Sequence, residues 1–146
     1  MSTIIAKRGR PSLPGHDINL NISARAASLV EEGARTLSGV TGRTPSKAAW
    51  FRALVVSLTN AQPQSLITAT DLNDTFPPAN SIDQTDQTRM TVRIEESQRV
   101  WLRQWECYVQ SLDWSRELYR NETVTILIEM QGTSFNLMLA TGVTPQ

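Results

Sequence analysis

Polar and apolar residues alternate over Asp17-Ile18-Asn19-Leu20-Asn21-Ile22-Ser23, and the same alternation returns over Arg89-Met90-Thr91-Val92-Arg93-Ile94-Glu95. Each stretch puts three apolar residues on one side and four polar residues on the other, which is typical of a half-buried β-strand. An isolated two-stranded ribbon is barely stable in water. We therefore expect the two strands to pair and to lay their apolar sides on helices, leaving one polar face outward.

Each predicted strand is followed by two segments in which apolar residues recur at helical spacing. In the first half, a helix is predicted over residues 25–38 with Ser23 as its N-cap. A glycine-containing break follows. The next helix is predicted to run to about residue 60, with Thr44 as its N-cap and Pro45 as its first helical residue.

In the second half, a helix is predicted from Glu96 to about Leu112. It carries a heavy apolar stripe that includes two tryptophans, and such a stripe more often belongs to a core than to a binding site. We assign Trp101 and Trp105 to the core. The stripe consists of Val100, Trp101, Trp105, Tyr108, Val109 and Leu112.

The last helix has two candidate starts. Matching residues 43–46 to residues 120–123 favours Asn121 as its N-cap and requires about five extra residues in the second half. Equal spacing of the two halves instead favours a start at Ser115. Gly132 is expected to end the helix, with residues 135–139 as a short apolar tail on the core.

The predicted organisation is a flexible basic arm over residues 1–16, a first repeat over 17–60, a connector over 61–87 and a second repeat over 88–140. The two repeats are expected to intertwine in one domain. The connector is rich in Pro, Ser, Thr and Asp, and we expect it to hold no regular element of any length. The fold class is mainly α with a two-stranded antiparallel ribbon.

The 146 residues carry a formal net charge of zero, but the charge is unevenly distributed. Residues 1–60 hold eight Lys and Arg against three Asp and Glu. Residues 61–88 hold four Asp and no basic residue, and residues 89–146 hold six Arg against seven acidic residues. This asymmetry favours an anionic partner for the N-terminal part of the chain.

Several function classes find no support in the composition. Cys107 and His16 are single, and the chain has no Gly-rich phosphate loop and no carboxylate pair at catalytic spacing. We therefore expect no enzyme, no metal site and no cofactor. No signal peptide and no apolar stretch of membrane-spanning length is found, so a soluble intracellular protein without a membrane partner is expected.

The arm contains Arg-Gly-Arg-Pro at residues 8–11, which resembles the core of an AT-hook. In that motif the arginines enter the narrow minor groove of A·T-rich DNA, and glycine allows close approach to the groove floor. Lys7, Arg8 and Arg10 are therefore candidate minor-groove contacts. A flexible basic tail is the alternative.

The start of the second helix has the chemistry of an anion site. Arg43, Thr44, Ser46 and Lys47 combine two cations and two hydroxyl groups with the free N–H groups of a helix start. A DNA phosphate suits such a site, and an ordinary capped helix is the alternative.

A strand, a helix, a break and a helix with a hydroxyl-rich start, repeated once, resemble the ribbon-helix-helix family of DNA-binding proteins. Residues 17–60 and 88–131 carry this resemblance. It implies a tandem, single-chain form that acts as a monomeric pseudodimer on double-stranded DNA, with the ribbon in the major groove. More narrowly, residues 18–25 and 44–47 look similar to the VirC-type overdrive-binding family of plasmid-borne transfer systems. This similarity implies a bacterial cytoplasmic protein associated with the nucleoid or with a plasmid.

The resemblance also implies which residues contact DNA. The base-reading positions are Asn19, Asn21, Thr91 and Arg93, with Asp17 and Arg89 as the outer pair at the start of the strands. The phosphate positions that it implies are Thr44, Ser46, Asn121 and Thr123. The neighbouring cations Arg43, Lys47 and Arg120 are further candidate phosphate contacts. Asn bonds adenine and Arg bonds guanine well, and different readers in the two halves favour an asymmetric DNA site.

Asp17 departs from the family pattern, because a carboxylate beside phosphates is repelled. Two roles are open to it: accepting from cytosine or pairing with a neighbouring arginine.

Three biological roles remain open. The first is an accessory protein near a DNA-transfer origin, acting in several copies along the DNA and with other transfer proteins as partners. The second is a repressor of its own promoter. The third is a protein-interaction module like the antitoxins of the same family. The narrower resemblance favours the first.

Overall fold

The computed structural model describes residues 15–42, 46–76, 87–112 and 117–142. The elements within these ranges are β1 His16–Ile22, α1 Ala24–Thr41, α2 Lys47–Leu58, a 3₁₀ turn at Pro63–Ser65, α3 Ala69–Thr75, β2 Thr88–Ile94, α4 Glu96–Ser111 and α5 Arg120–Thr141. The described chain is mostly helical with a two-stranded antiparallel sheet, which confirms that part of the predicted fold class.

The two alternating stretches form the sheet, as predicted. β1 and β2 pair antiparallel, with Ile18 opposite Val92 and Leu20 opposite Met90. Their apolar sides face the helices and belong to one core shared by both halves of the chain. The strand residues that are at most 5% exposed are Leu20, Ile22, Met90, Val92 and Ile94.

The start of α1 confirms the predicted cap, whereas its end differs from the prediction. The Oγ of Ser23 accepts a hydrogen bond from the Ala26 N–H at 3.1 Å. The break expected after Ser38 is wrong, because α1 continues to Thr41 and ends where Gly42 adopts the left-handed conformation at φ 74°. A single glycine inside a helix costs only about 1 kcal/mol, so Gly39 does not end α1, whereas Gly42 supplies the left-handed residue that does.

The start of α2 lies two residues later than predicted. Ser46 is the N-cap, and its Oγ accepts from the Ala49 N–H at 3.1 Å. Thr44 as N-cap and Pro45 as first helical residue are therefore wrong, because serine caps a helix as well as threonine does and Lys47 is the first helical residue.

Both candidate starts of the last helix are also wrong. α5 begins at Arg120 with Tyr119 in the N-cap position, so neither Asn121 nor Ser115 is the cap. The Tyr119 N–H donates to the Oε1 of Glu122 at 3.1 Å. A glutamate three residues after the cap fixes a helix start in this way.

α5 also runs further than predicted. It passes through Gly132 to Thr141, so a helix end at Gly132 and a separate tail over residues 135–139 are both wrong. A Cβ at Gly132 would lie 3.4 Å from Leu29 Cδ1 and 3.6 Å from Trp50 Cη2. The glycine therefore lies in close helix packing rather than at a helix end.

The connector holds regular structure, contrary to the prediction. Thr68 Oγ1 accepts from the Asp71 N–H at 3.1 Å, and Asp71 Oδ2 accepts from the Thr68 N–H at 3.0 Å, so a capping box opens α3. Ile67 and Leu72 are at most 1% exposed. Tyr108 Oη on α4 donates to the Ile67 carbonyl at 2.7 Å, which fixes the connector to the core.

The two tryptophans of α4, Trp101 and Trp105, lie in the core, as predicted. Trp101 Nε1 donates to the Ala61 carbonyl at 2.9 Å, and Trp105 Nε1 donates to the Thr123 carbonyl at 2.8 Å. Val100, which the stripe also includes, is 44% exposed and lies outside the core. The side of α4 that faces the core carries Trp101, Trp105 and Val109, which are spaced by four residues, and Val100 does not belong to this row.

The two halves of the chain correspond at a nearly constant spacing. Ala24 and Glu96, the first residues of α1 and α4, are 72 positions apart, and Lys47 and Arg120, the first residues of α2 and α5, are 73 apart. The second half therefore needs one extra residue here, not about five. The buried residues Trp50, Phe51, Leu54 and Val55 correspond to the buried Thr123, Val124, Leu127 and Ile128.

A tryptophan occupies the contact between the two helices of each half, but it comes from different helices. Trp50 on α2 lies against Gly33 on α1. The residue of α4 that corresponds to Gly33 is Trp105, and it contacts Thr123, which corresponds to Trp50. Large and small side chains are thus exchanged between the halves, and each contact remains filled.

We predict that Gly33→Ala lowers the free energy of unfolding by about 2–3 kcal/mol, because a new Cβ would overlap Trp50 Nε1 and Asn136 Oδ1. These two atoms form a buried 2.7 Å hydrogen bond that must then shift. Urea titration measures the change.

The matched control is Gly39→Ala on the same helix, where a Cβ would meet nothing within 4 Å. That variant should gain about 0.5–1 kcal/mol from its higher helix propensity. Equal stability of the two variants would contradict the packing of Trp50.

Candidate nucleic-acid interface

The centre of the outward ribbon face is formed by Asn19 and Thr91. They lie directly opposite each other, and both are exposed. Thr91 Oγ1 donates to Asn19 Oδ1 at 2.7 Å, which leaves the Asn19 amide NH₂ group directed away from this bond. Two predicted base-reading residues are thereby brought together on one accessible surface.

One end of the ribbon carries an ion pair. Asp17 lies opposite Arg93, and Arg93 Nη1 is 3.1 Å from Asp17 Oδ1. The Arg93 side chain is 32% exposed and the Asp17 side chain 59% exposed. Of the two roles considered for Asp17, the structure shows the pairing with an arginine. The pair balances the two charges, so this end of the ribbon presents little net charge.

The other end of the ribbon is cationic. Asn21 lies opposite Arg89, and the Asn21 N–H donates to Asn121 Oδ1 at 3.0 Å. Arg89 is exposed and forms no ion pair with any described residue. Antiparallel pairing puts Arg89 and Asp17 at opposite ends of the ribbon, so they are not side by side.

The predicted phosphate site at the start of α2 is described only in part. Ser46 Oγ is exposed and serves as the helix cap. Lys47 Nζ lies 3.6 Å from Glu31 Oε1 in a surface pair that contributes little energy. Arg43 and Thr44 lie outside the described residues, as do the arm residues Lys7, Arg8 and Arg10.

The start of α5 differs from the prediction. Thr123 is fully buried, and its Oγ1 donates to the Arg120 carbonyl at 2.9 Å, so the predicted phosphate contact through Thr123 is wrong. Because the helix begins at Arg120, Thr123 falls on the inward face. Asn121 is half-buried with its Oδ1 bound to β1, whereas Arg120 is exposed.

Two further arginines lie close to the ribbon and were not singled out from the sequence. Arg25 follows β1 by three residues and its side chain is 73% exposed, with its Nε 3.6 Å from Glu129 Oε1. Its position just after the alternating stretch was a usable signal. Arg52 on α2 has its Nη1 3.4 Å from the Arg93 carbonyl. That contact depends on how α2 packs on β2, which no local pattern encodes.

A charged cluster joins the first residue of β1 to the first turn of α4. His16 Nε2 lies 2.9 Å from Glu96 Oε1, and Arg99 donates to both Glu96 oxygens at 2.9 and 2.6 Å. The hydrogen bonds from Arg99 hold the pKa of Glu96 below its ordinary value, with smaller contributions from the Arg99 charge and from His16. The same pairing raises the pKa of Arg99.

No family model, no curated protein and no solved structure matches this chain. Among the residues that the structure describes, no three His, Cys, Asp or Glu side chains are grouped to hold a metal ion. Within the same ranges, none of the helices is long and apolar enough to cross a lipid bilayer.

We predict that Arg99→Met raises the pKa of Glu96 toward its ordinary value, as followed by NMR titration of the side-chain carboxyl carbon. Because the Glu96 pKa is lowered in the folded state, its pairing stabilises the fold above the unfolded-state pKa. This contribution is lost as the pH falls through the folded-state pKa, so wild type and variant should converge in stability there.

Arg103→Met is the control for this titration, since Arg103 pairs with Glu106 instead. It should leave the Glu96 titration unchanged. A Glu96 curve that does not move in Arg99→Met would contradict the assigned cause.

Proposed function

We propose that this protein binds double-stranded DNA in a sequence-dependent way, with its two-stranded ribbon in the major groove. The outward face of the ribbon carries the proposal: Asn19, Thr91 and Arg89 are exposed there. Amide, hydroxyl and guanidinium groups are those that read base edges. The major groove, about 12 Å wide, admits a two-stranded ribbon.

We further propose that the chain is a tandem ribbon-helix-helix protein that acts as a monomeric pseudodimer. Asn19 and Thr91 are 72 positions apart, which is also the spacing between the starts of α1 and α4. These corresponding residues lie opposite each other. Asp17 corresponds to Arg89, and Asn21 corresponds to Arg93, at the same spacing. The Asp17–Arg93 pair at one end of the ribbon is therefore the counterpart of the Arg89–Asn21 pair at the other end. This correspondence supports the family assignment.

The two ends of the proposed reading surface favour an asymmetric DNA site. Arg89 offers guanine a bidentate donor at one end, whereas Arg93 is engaged by Asp17 at the other. At the centre, Asn19 suits adenine and the methyl group of Thr91 suits thymine. A perfectly palindromic site would present the same bases at both ends of the ribbon, where the side chains differ, so it would fit less well than an asymmetric site.

Cations beside the ribbon would hold the DNA backbone in this proposal. Asn121 in the first turn of α5 contacts Asn21, so the helix start and the exposed Arg120 lie next to the ribbon. Arg25 and Lys47 are also exposed. Phosphate contacts of this kind fix position and give affinity, while the ribbon supplies sequence preference. The predicted arm is shorter than residues 1–16, because His16 is the first residue of β1, and its basic residues Lys7, Arg8 and Arg10 would add minor-groove contacts.

For the biological role, we propose an accessory protein near a DNA-transfer origin that works with other transfer proteins. The similarity of residues 18–25 and 44–47 to the VirC-type family supports this role. A repressor would use the same surface, so the position of the bound site relative to promoters distinguishes the two roles.

We predict that Asn19→Ala/Thr91→Val reduces discrimination between a selected duplex and random DNA by about 10- to 100-fold, since a good base contact is worth about 1–3 kcal/mol. Affinity for random DNA and its salt dependence should persist, because phosphate contacts supply both. Fluorescence anisotropy at several salt concentrations measures these quantities.

The control is Asn60→Ala/Thr36→Val, which makes the same replacements outside the ribbon. It should keep the full discrimination. If wild type shows no binding that weakens with salt, DNA binding itself is refuted; if the ribbon variant discriminates like wild type, the ribbon is not the reader.

We predict that Asp17→Asn binds random DNA about 3- to 10-fold more tightly at low salt. The variant removes a negative charge from the ribbon and weakens one contact of Arg93, so the ribbon attracts phosphates more strongly and the salt slope should steepen by about one. Glu32→Gln, which removes an exposed acidic residue from α1, controls for net charge. An equal effect of the two variants would contradict a local role for Asp17.

A further inference from the structure

A cavity of about 220 Å³ lies beside the ribbon, between β1, α4 and the first turn of α5. Its apolar lining comes from all three elements and from the end of β2. These apolar residues are Ile18, Ile94, Leu102 and Val124. Ile94 and Val124 are buried, and the other two are half-buried, so the cavity has an apolar floor that joins the core.

The rim of the cavity is charged, and most of its charges are paired. Glu106 and Arg103 both line the cavity and pair with each other, whereas the lining residues Asp17 and Arg99 pair with Arg93 and Glu96 just outside it. His16, which also lines the cavity, is bonded to Glu96. Arg120, at the first position of α5, also lines the cavity and forms no ion pair with any described residue. The rim is therefore left with one cation in excess, above an apolar floor.

We propose that this cavity binds a small organic anion with a ring-sized apolar body and a single carboxylate. The apolar body would lie on the floor, and Arg120 would hold the carboxylate, because guanidinium and carboxylate form strong bidentate hydrogen bonds. Charge complementarity selects an anion, and the apolar floor excludes a purely inorganic one.

The size of the cavity limits the ligand. A cavity of about 150 Å³ is filled by benzene, so 220 Å³ leaves room for one ring and a carboxylate. Larger ligands such as nucleotides need pockets of about 300–1,000 Å³. The ligand class is therefore a simple aromatic or branched carboxylic acid.

The cavity and the ribbon share residues, so occupancy would affect DNA binding. Asp17 lines the cavity and stands on the outward ribbon face, where it pairs with Arg93. A bound carboxylate places one more negative charge beside this end of the ribbon and should weaken DNA binding at low salt. This second step rests on the proposed function, whereas the binding of the anion does not.

The test uses the full chain with benzoate as the probe, followed by methyl NMR. Benzoate should shift the methyl signals of Ile18, Ile94, Leu102 and Val124 and saturate. Benzyl alcohol, which has the ring but no charge, and inorganic phosphate, which has the charge but no ring, should each bind at least about tenfold more weakly.

The decisive variant is Arg120→Gln, which should raise the Kd of benzoate about tenfold. Arg120 is exposed, so the fold should tolerate the change. Arg35→Gln removes the same charge from an exposed position on α1 and should leave the Kd unchanged. Absence of shifts at the floor methyls, equal Kd values for Arg120→Gln and wild type, or phosphate binding as tight as benzoate binding would overturn the proposal.

A DNA titration with and without saturating benzoate then separates the two steps. Arg120→Gln is expected to bind DNA more weakly than wild type even without benzoate, because Arg120 is also a proposed phosphate contact. The coupling is supported if adding benzoate lowers the DNA affinity of wild type but leaves that of Arg120→Gln unchanged. If benzoate binds the cavity and the protein binds no DNA, the proposed function fails while the ligand site stands. If DNA binds equally well with the cavity occupied, the coupling alone is refuted.

Discussion

The antiparallel pairing of β1 with β2 is the constraint on which the rest of the structure depends. The strands stand 72 positions apart at their centres, Asn19 and Thr91, so neither has a local partner. A lone two-stranded ribbon is barely stable in water. This ribbon is stabilised because its apolar side packs on the helices as part of the shared core. The same pairing directs the alternate polar residues 17, 19 and 21 of β1 and 89, 91 and 93 of β2 outward, and it sets which side chains face each other across the ribbon.

The correspondence between the halves is one of position more than of residue type. The space between paired helices is filled by Trp50 against Gly33 in the first half and by Trp105 against Thr123 in the second. Comparing residue types position by position cannot detect such an exchange. A close-packed interior requires only that the volume at each contact be filled, and it leaves open which helix supplies the indole.

The sequence was sufficient for both strands and for the cap at Ser23, because alternation and capping are local signals. The sequence was insufficient where a contact between distant segments determines a helix end or the burial of a side chain. Gly132 is a typical helix-ending residue but lies where α5 packs against other helices. Trp50 is buried because its indole packs against Gly33 on α1 and donates a hydrogen bond to Asn136 on α5. In the candidate site, the exposed centre of the ribbon could be predicted, whereas the burial of Thr123 depended on a helix start set by the capping glutamate of α5.

The central claim is that the outward face of the ribbon contacts DNA, and amide chemical-shift mapping tests it most directly. A selected duplex would be titrated into the ¹⁵N-labelled full chain at low salt. The account predicts saturable shifts concentrated at the outward ribbon positions, 17 to 21 and 89 to 93, and at the first turn of α5. Shifts confined to surfaces away from the ribbon, such as α3, or no saturable shifts at all, would contradict it.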